Sequence, residues 1–218
     1  MSSHYTKGMV CVICETRKPR RSCPGVHGDI CAICCGTERE VSISCPLDCE
    51  YLQEARRHEK PAPVDESAIP NREIEITERL LERNADLLNT VAASLTAAAL
   101  HSSAIDTDVR DALAALARTF RTRESGVYYD TRPSGSYAAA IYDALQDTIR
   151  EFREEEQRQG VTKTRDADVL AVVVFLERAA LGWNNGRPRG RGYVDYLRRY
   201  YGDSPDAGTE GRSSLLLA

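Results

Sequence analysis

All eight cysteines of this 218-residue chain fall between positions 11 and 49. They read Cys11-Val-Ile-Cys14, a lone Cys23, Cys31-Ala-Ile-Cys34-Cys35, and Cys45-Pro-Leu-Asp-Cys49. A two-residue gap lets the backbone turn so that both sulfurs face one ion, and sixteen residues separate Cys14 from Cys31. That spacing reads as a metal knuckle pair. Eight thiolates complete two tetrahedral sites with none left over, and no site then keeps a position open for substrate water.

Adjacent side chains point apart, so Cys34 and Cys35 belong to different ions. The first zinc set is therefore Cys11, Cys14, Cys31 and Cys34, and the second is Cys23, Cys35, Cys45 and Cys49. This interleaving is a cross-brace that locks the loop from Arg17 to Ile30. His27 and His58 are the alternative ligands. Cys45 to Glu59 reads as a helix, with Cys45 at the cap, Pro46 at the first helical position and Asp48 in the first turn. Cys49 then sits one turn after Cys45 on the same face.

A helix carrying the last ligand pair in its opening turn resembles the treble-clef and cross-brace zinc fingers. The Cys45–Cys49 spacing resembles MYND and HIT fingers in particular. The isolated Cys23 departs from them, because those fingers continue with a second tight pair. The match covers about a fifth of the chain, and it implies zinc binding and partner recognition. The Cys-rich opening before a helical remainder also resembles a bacterial family that carries no function to transfer.

Other cysteine chemistries fit less well. The N-terminal residues Met1 to Met9 have no apolar signal core, so a reducing, cytoplasmic setting is expected and a disulfide framework is not. Iron–sulfur ligation calls for closely spaced cysteine triplets, and a thioredoxin-type pair calls for a βαβ context. Neither is present in the sequence.

The net charge of −4 argues against a surface built to grip nucleic acid or membrane throughout. Residues 1–60 carry nine Lys and Arg against eight Asp and Glu, and two zinc–tetrathiolate sites would make that region negative. No apolar run reaches the ~18 residues of a membrane span.

The remainder is read as helical. A proline-rich linker at 61–71 separates residues 1–60 from a five-helix bundle at 72–202, followed by a disordered tail at 203–218. The expected class is thus mainly α, a two-zinc module followed by five helices. The first helix follows Ile74, Thr77, Leu81, Asn84, Leu88, Val91, Leu95 and Ala98. Val109, Leu113, Leu116 and Phe120 mark the second, ended by Ser125-Gly126. The third spans Tyr137 to Gln159. The fourth contains Val169 to Leu176, apolar on every side and hence the most buried. The last runs from about Gly190 to Tyr201.

Two further stretches carry chemistry. Tyr128, Tyr129, Asp130 and Arg132 form a loop that is read as bracing a long helix connection through the tyrosines, with a ligand pocket as the alternative. Arg187-Pro-Arg189-Gly-Arg191 resembles the AT-hook core, whose arginines enter a narrow minor groove. It departs at Gly192, where the hook has proline. The competing reading makes Arg187, Arg189 and Arg191 a helix-start loop bridging to the acidic bundle. The functional expectation is a non-enzymatic zinc-binding adaptor for a protein partner, with nucleic acid second and no membrane. A zinc-thiolate redox sensor, and a ligand binder or enzyme using the tyrosine loop, are the alternatives.

Overall fold

The computed structural model describes residues 10–59 and 65–202. The expectations for the C-terminal tail and for part of the linker lie outside these residues. The protein is mainly helical, with eight α-helices and one two-stranded sheet among the described residues. The chain divides into two compact units. The first holds Met1–Lys60 together with Gly186–Gly190, and the second holds Pro61–Asn185 and Arg191–Ala218.

In the first unit, β1 (Arg21–Cys23) pairs antiparallel with β2 (Gly28–Ile30), Arg21 opposite Ile30 and Cys23 opposite Gly28. The hairpin loop passes so close to its neighbours that a Cβ on Gly25 would meet Ile43 Cγ2 at 2.6 Å and the Ser44 carbonyl at 2.9 Å. Only glycine fits there. Helix α1 (Ala32–Glu38) starts from Cys31 at its N-cap and buries Cys34 and Cys35. Helix α2 spans Glu50–His58.

The expected helix from Cys45 is corrected: α2 begins only after Cys49, its N-cap residue, which has extended backbone at ψ 119°. Buried Leu47 draws the preceding segment inward, and a turn closes from the Cys49 amide to the Pro46 carbonyl at 3.1 Å. Cys45 and Cys49 therefore do not share a helical face.

The apolar core of this unit is thin and largely made of sulfur. Cys11, Cys23, Ile30, Cys31, Cys34, Cys35 and Ile43 form it, with Cys14, Val26, Cys45 and Tyr51 packed around them. A core this small calls for additional cross-linking, of which metal ligation is one kind.

The second unit contains α3 (Glu78–Arg83), α4 (Ala85–His101), α5 (Asp106–Glu124), α6 (Ser136–Arg158), α7 (Asp166–Gly182) and α8 (Gly192–Tyr201). Helix α5 packs on α6 and α7, while α4 packs on α6 and α8. As expected, α7 is buried along its apolar run, with Val169, Val172, Val173, Val174 and Ala180 fully covered.

The long first helix expected from Ile74 is split. Arg178 takes the carbonyls of Pro70, Asn71 and Ile74 as acceptors, so those groups are not free to start a helix. Thr77 instead caps α3 by accepting from the Leu80 amide at 3.2 Å. At Asn84 the backbone leaves helical geometry (φ −108°, ψ 22°), and its side chain donates to the Leu80 carbonyl and to Asp168. The bundle thus contains six helical segments where five were expected.

Candidate metal centre

Cys11 and Cys14 sit on a tight knuckle closed by the Cys11 amide donating to the Arg17 carbonyl at 2.8 Å and the Glu15 amide to the Cys11 carbonyl at 2.8 Å. Cys31 caps α1, and its sulfur accepts from the Cys34 amide at 3.4 Å. The sulfurs of Cys11, Cys14, Cys31 and Cys34 all lie within 4.8 Å of one another. Zinc–thiolate bonds of about 2.3 Å place tetrahedral sulfurs about 3.8 Å apart, so this group is compatible with a zinc site. Cys11, Cys31 and Cys34 are buried and Cys14 is half-buried.

The electrostatics of the four sulfurs call for a cation. Thr16, through its hydroxyl and its amide, and the Arg17 amide lower the Cys14 thiol to about 5. Burial, together with the sulfurs of Cys31, Cys14 and Cys11, pushes Cys34 up to about 12. The four thiols do not all ionise together without a positive charge among them, and a divalent ion removes that obstacle. The Arg17 guanidinium lies beside Cys14 and Cys31, and their attraction raises its own pKa.

Cys23, Cys35, Cys45 and Cys49 occupy a different place. They line one small cavity of about 10 Å³ together with Ile30, Ile43, Leu52 and Tyr51. Burial raises the Cys45 thiol, as do the Glu40 carboxylate and the neighbouring sulfurs of Cys23 and Cys49, while a backbone amide hydrogen bond at Glu40 pulls the other way. Among the described residues, only the first set is gathered within 4.8 Å. Cys34 belongs to the gathered set, whereas Cys35 lines the cavity.

Neither histidine joins the cysteine group. His58 is 77% exposed, with Nε2 3.2 Å from Glu54 Oε1, and His27 is an exposed turn residue at φ 51°.

Two of the AT-hook-like arginines belong to the cysteine-bearing unit. Arg187 donates to the Arg39 carbonyl at 2.5 Å, and its Nε lies 3.7 Å from Glu59. The Arg189 amide donates to the Glu40 carbonyl at 2.8 Å, and its guanidinium donates to Ser44 Oγ at 2.6 Å. Arg191 instead donates to the Ala104 carbonyl at 2.9 Å. The bonds described for Arg187 and Arg189 thus go to the segment that ends α1 and follows it, and to Glu59.

The tyrosine loop differs from expectation. Tyr128 and Tyr129 are 85% and 67% exposed and bury little of their rings, while the Tyr129 carbonyl accepts from Thr122 Oγ1 at 3.1 Å. The loop is tied down by polar neighbours: the Thr131 amide donates to Thr119 Oγ1, Arg123 pairs with Asp130 at 2.6 Å, and Arg132 bonds both oxygens of Asp143. A groove of about 590 Å³ lies alongside, lined by Phe120, Arg123, Asp130, Gln146, Arg150 and Arg153, among others. Of the four candidate loop residues, only Asp130 lines it.

Sequence reasoning missed the arginines that face the sulfurs. Arg21 Nη1 donates to Cys35 Sγ at 3.2 Å and Arg39 Nη2 approaches the same sulfur at 3.7 Å. Their closeness in sequence to Cys23 and Cys35 was the available signal. The comparisons with protein-family models, curated proteins and solved structures find no match to this chain, so the candidate centre rests on its own geometry.

Proposed function

We propose that the protein is a non-enzymatic, zinc-dependent adaptor in which two structural zinc ions hold a small recognition module. The carrying observation is the gathered Cys11, Cys14, Cys31 and Cys34 group, a donor set made only of thiolates. Four thiolates saturate zinc, so the ion would staple the fold and activate no water. The second ion would take Cys23, Cys35, Cys45 and Cys49, which share one cavity. Together they give the cross-brace.

The recognition surface follows from what the knuckles leave outside. Val12 and Ile13 between Cys11 and Cys14, and Ile33 between Cys31 and Cys34, are 50%, 37% and 55% exposed. Apolar residues held out on a rigid, metal-locked turn are suited to a protein partner. Capture from native lysate by the zinc-loaded protein, compared with Ile13→Asp/Ile33→Asp, tests this. Partners should survive nuclease treatment and be lost with the double variant. Captured material that disappears on nuclease treatment would instead make the target a nucleic acid.

The groove beside Asp130 favours a second reading, a small-ligand binder. Phe120 provides an apolar wall, with the guanidinium carbons of Arg123 and Arg153 5.0 and 5.7 Å from its ring centre. Its arginines are paired, Arg123 with Asp130 and Arg153 with Asp166, which weakens their pull on an anion and ranks this reading second.

A further inference from the structure

The arginines on Cys35 carry an inference about how the second cysteine set reacts, and it rests on the reading that this set holds zinc. A zinc ion with four thiolates carries a net charge of −2, and its sulfurs remain nucleophiles unless hydrogen bonds withdraw charge from them. Cys35 is buried. It receives the Arg21 guanidinium at 3.2 Å and that of Arg39 at 3.7 Å. Arg21 is itself positioned: its guanidinium carbon lies 4.5 Å from the centre of the Tyr51 ring. β1, α1 and the first turn of α2 thus contribute Arg21, Cys35 and Tyr51 to one stack.

Charge-assisted bonds of this kind are the stronger class of hydrogen bond, and the aromatic face favours the cation that makes them. In the first set, Arg17 stands beside Cys14 and Cys31. The half-buried pair Cys45 and Cys49 lines the same cavity as Cys35, Arg21 and Arg39, and the two guanidinium–sulfur contacts fall on the buried Cys35.

We propose that Arg21, clamped on Tyr51, and Arg39 are positioning residues that guard Cys35, leaving Cys45 and Cys49 as the edge through which electrophiles enter the second metal site. Chemically, a thiolate sulfur of Cys45 or Cys49 attacks an alkylating carbon. The new C–S bond forms as the carbon–leaving-group bond breaks, and the resulting thioether no longer holds the metal well. The module is thereby graded, with a guarded side and an attackable side.

The test uses the full-length zinc-loaded protein. Metal analysis first fixes the zinc content. Timed reaction with iodoacetamide, which releases iodide, then maps modified cysteines by peptide mass spectrometry. The proposal expects Cys45 and Cys49 to be alkylated before Cys35 in the native protein. Arg21→Gln should speed Cys35 alkylation about tenfold, the effect of losing one charge-assisted hydrogen bond. Arg21→Lys should restore most of the protection, and Tyr51→Leu should give an intermediate rate.

Fewer than two zinc ions per chain would mean that the two-zinc reading fails. Two ions with Cys35 alkylated as fast as Cys45 and Cys49 would overturn the guarding role while leaving the zinc reading intact. So would an Arg21→Gln rate equal to the native one. If Arg21→Gln does not fold, the native order of modification and the Tyr51→Leu rate decide the matter alone.

Discussion

The carboxylate of Asp106, at the start of α5, accepts hydrogen bonds from the backbone amides of Tyr193 and Val194 at 3.1 Å each. It is 4% exposed, and it satisfies donors in the first turn of α8 that no intrahelical acceptor reaches. The first turn of one helix thereby caps another across 87 residues of chain. Tyr193 completes the junction by donating its hydroxyl to the Leu176 carbonyl at 3.0 Å.

Asp106→Ala should therefore destabilise the second unit by about 2–3 kcal/mol, since it strands buried amides and removes a charged acceptor. Urea unfolding followed by helical circular dichroism measures this. Zinc content should stay at the native value, because the Asp106 bonds lie within the second unit.

Arg187 and Arg189 lead to a different expectation from that of a DNA hook. Replacing both with alanine should weaken the cysteine-bearing unit by about 1 kcal/mol for each side-chain bond lost, seen as faster zinc transfer to a chromogenic chelator. Duplex DNA binding at physiological salt should be weak before and after. A strong affinity that falls steeply with salt and loses slope in the double variant would restore the phosphate-gripping role.

Zinc loading should release protons, and the cysteine values set how many. Near neutral pH Cys14, at about 5, is already ionised and contributes none, whereas Cys34, at about 12, must give up its proton. About one to three protons per ion at the first set are expected. Calorimetry in buffers of different ionisation heat counts them. Because zinc needs the thiolates, affinity should fall as pH is lowered, and the slope should flatten only where the cysteines are already ionised.

The sequence was readable where local chemistry decides the outcome. Cys-x-x-Cys gaps brought Cys11, Cys14, Cys31 and Cys34 together, and apolar periodicity placed α4 to α8. It was unreadable where distant residues intervene. The break at Asn84 involves Asp168, the delayed start at Glu78 involves Arg178, and the three-residue strands of the hairpin are too short to show alternation. Cys49 was misplaced on a helix because Pro46 is a good first-turn residue, yet burial of Leu47 kept that turn non-helical. The Gly186–Gly190 segment was unreadable as part of the cysteine-bearing unit, since nothing local to it shows where Arg187 and Arg189 will bond.

The central claim is that eight cysteines hold two zinc ions in a cross-brace, with Cys34 and Cys35 on different ions. Metal analysis of the purified chain and of two serine variants tests it most directly. Two zinc ions per native chain are predicted, with Cys34→Ser losing the ion of the first set and Cys35→Ser losing the other. Cadmium-113 resonances then identify which site each variant keeps. A single zinc ion per native chain, or both variants losing the same ion, would contradict the account.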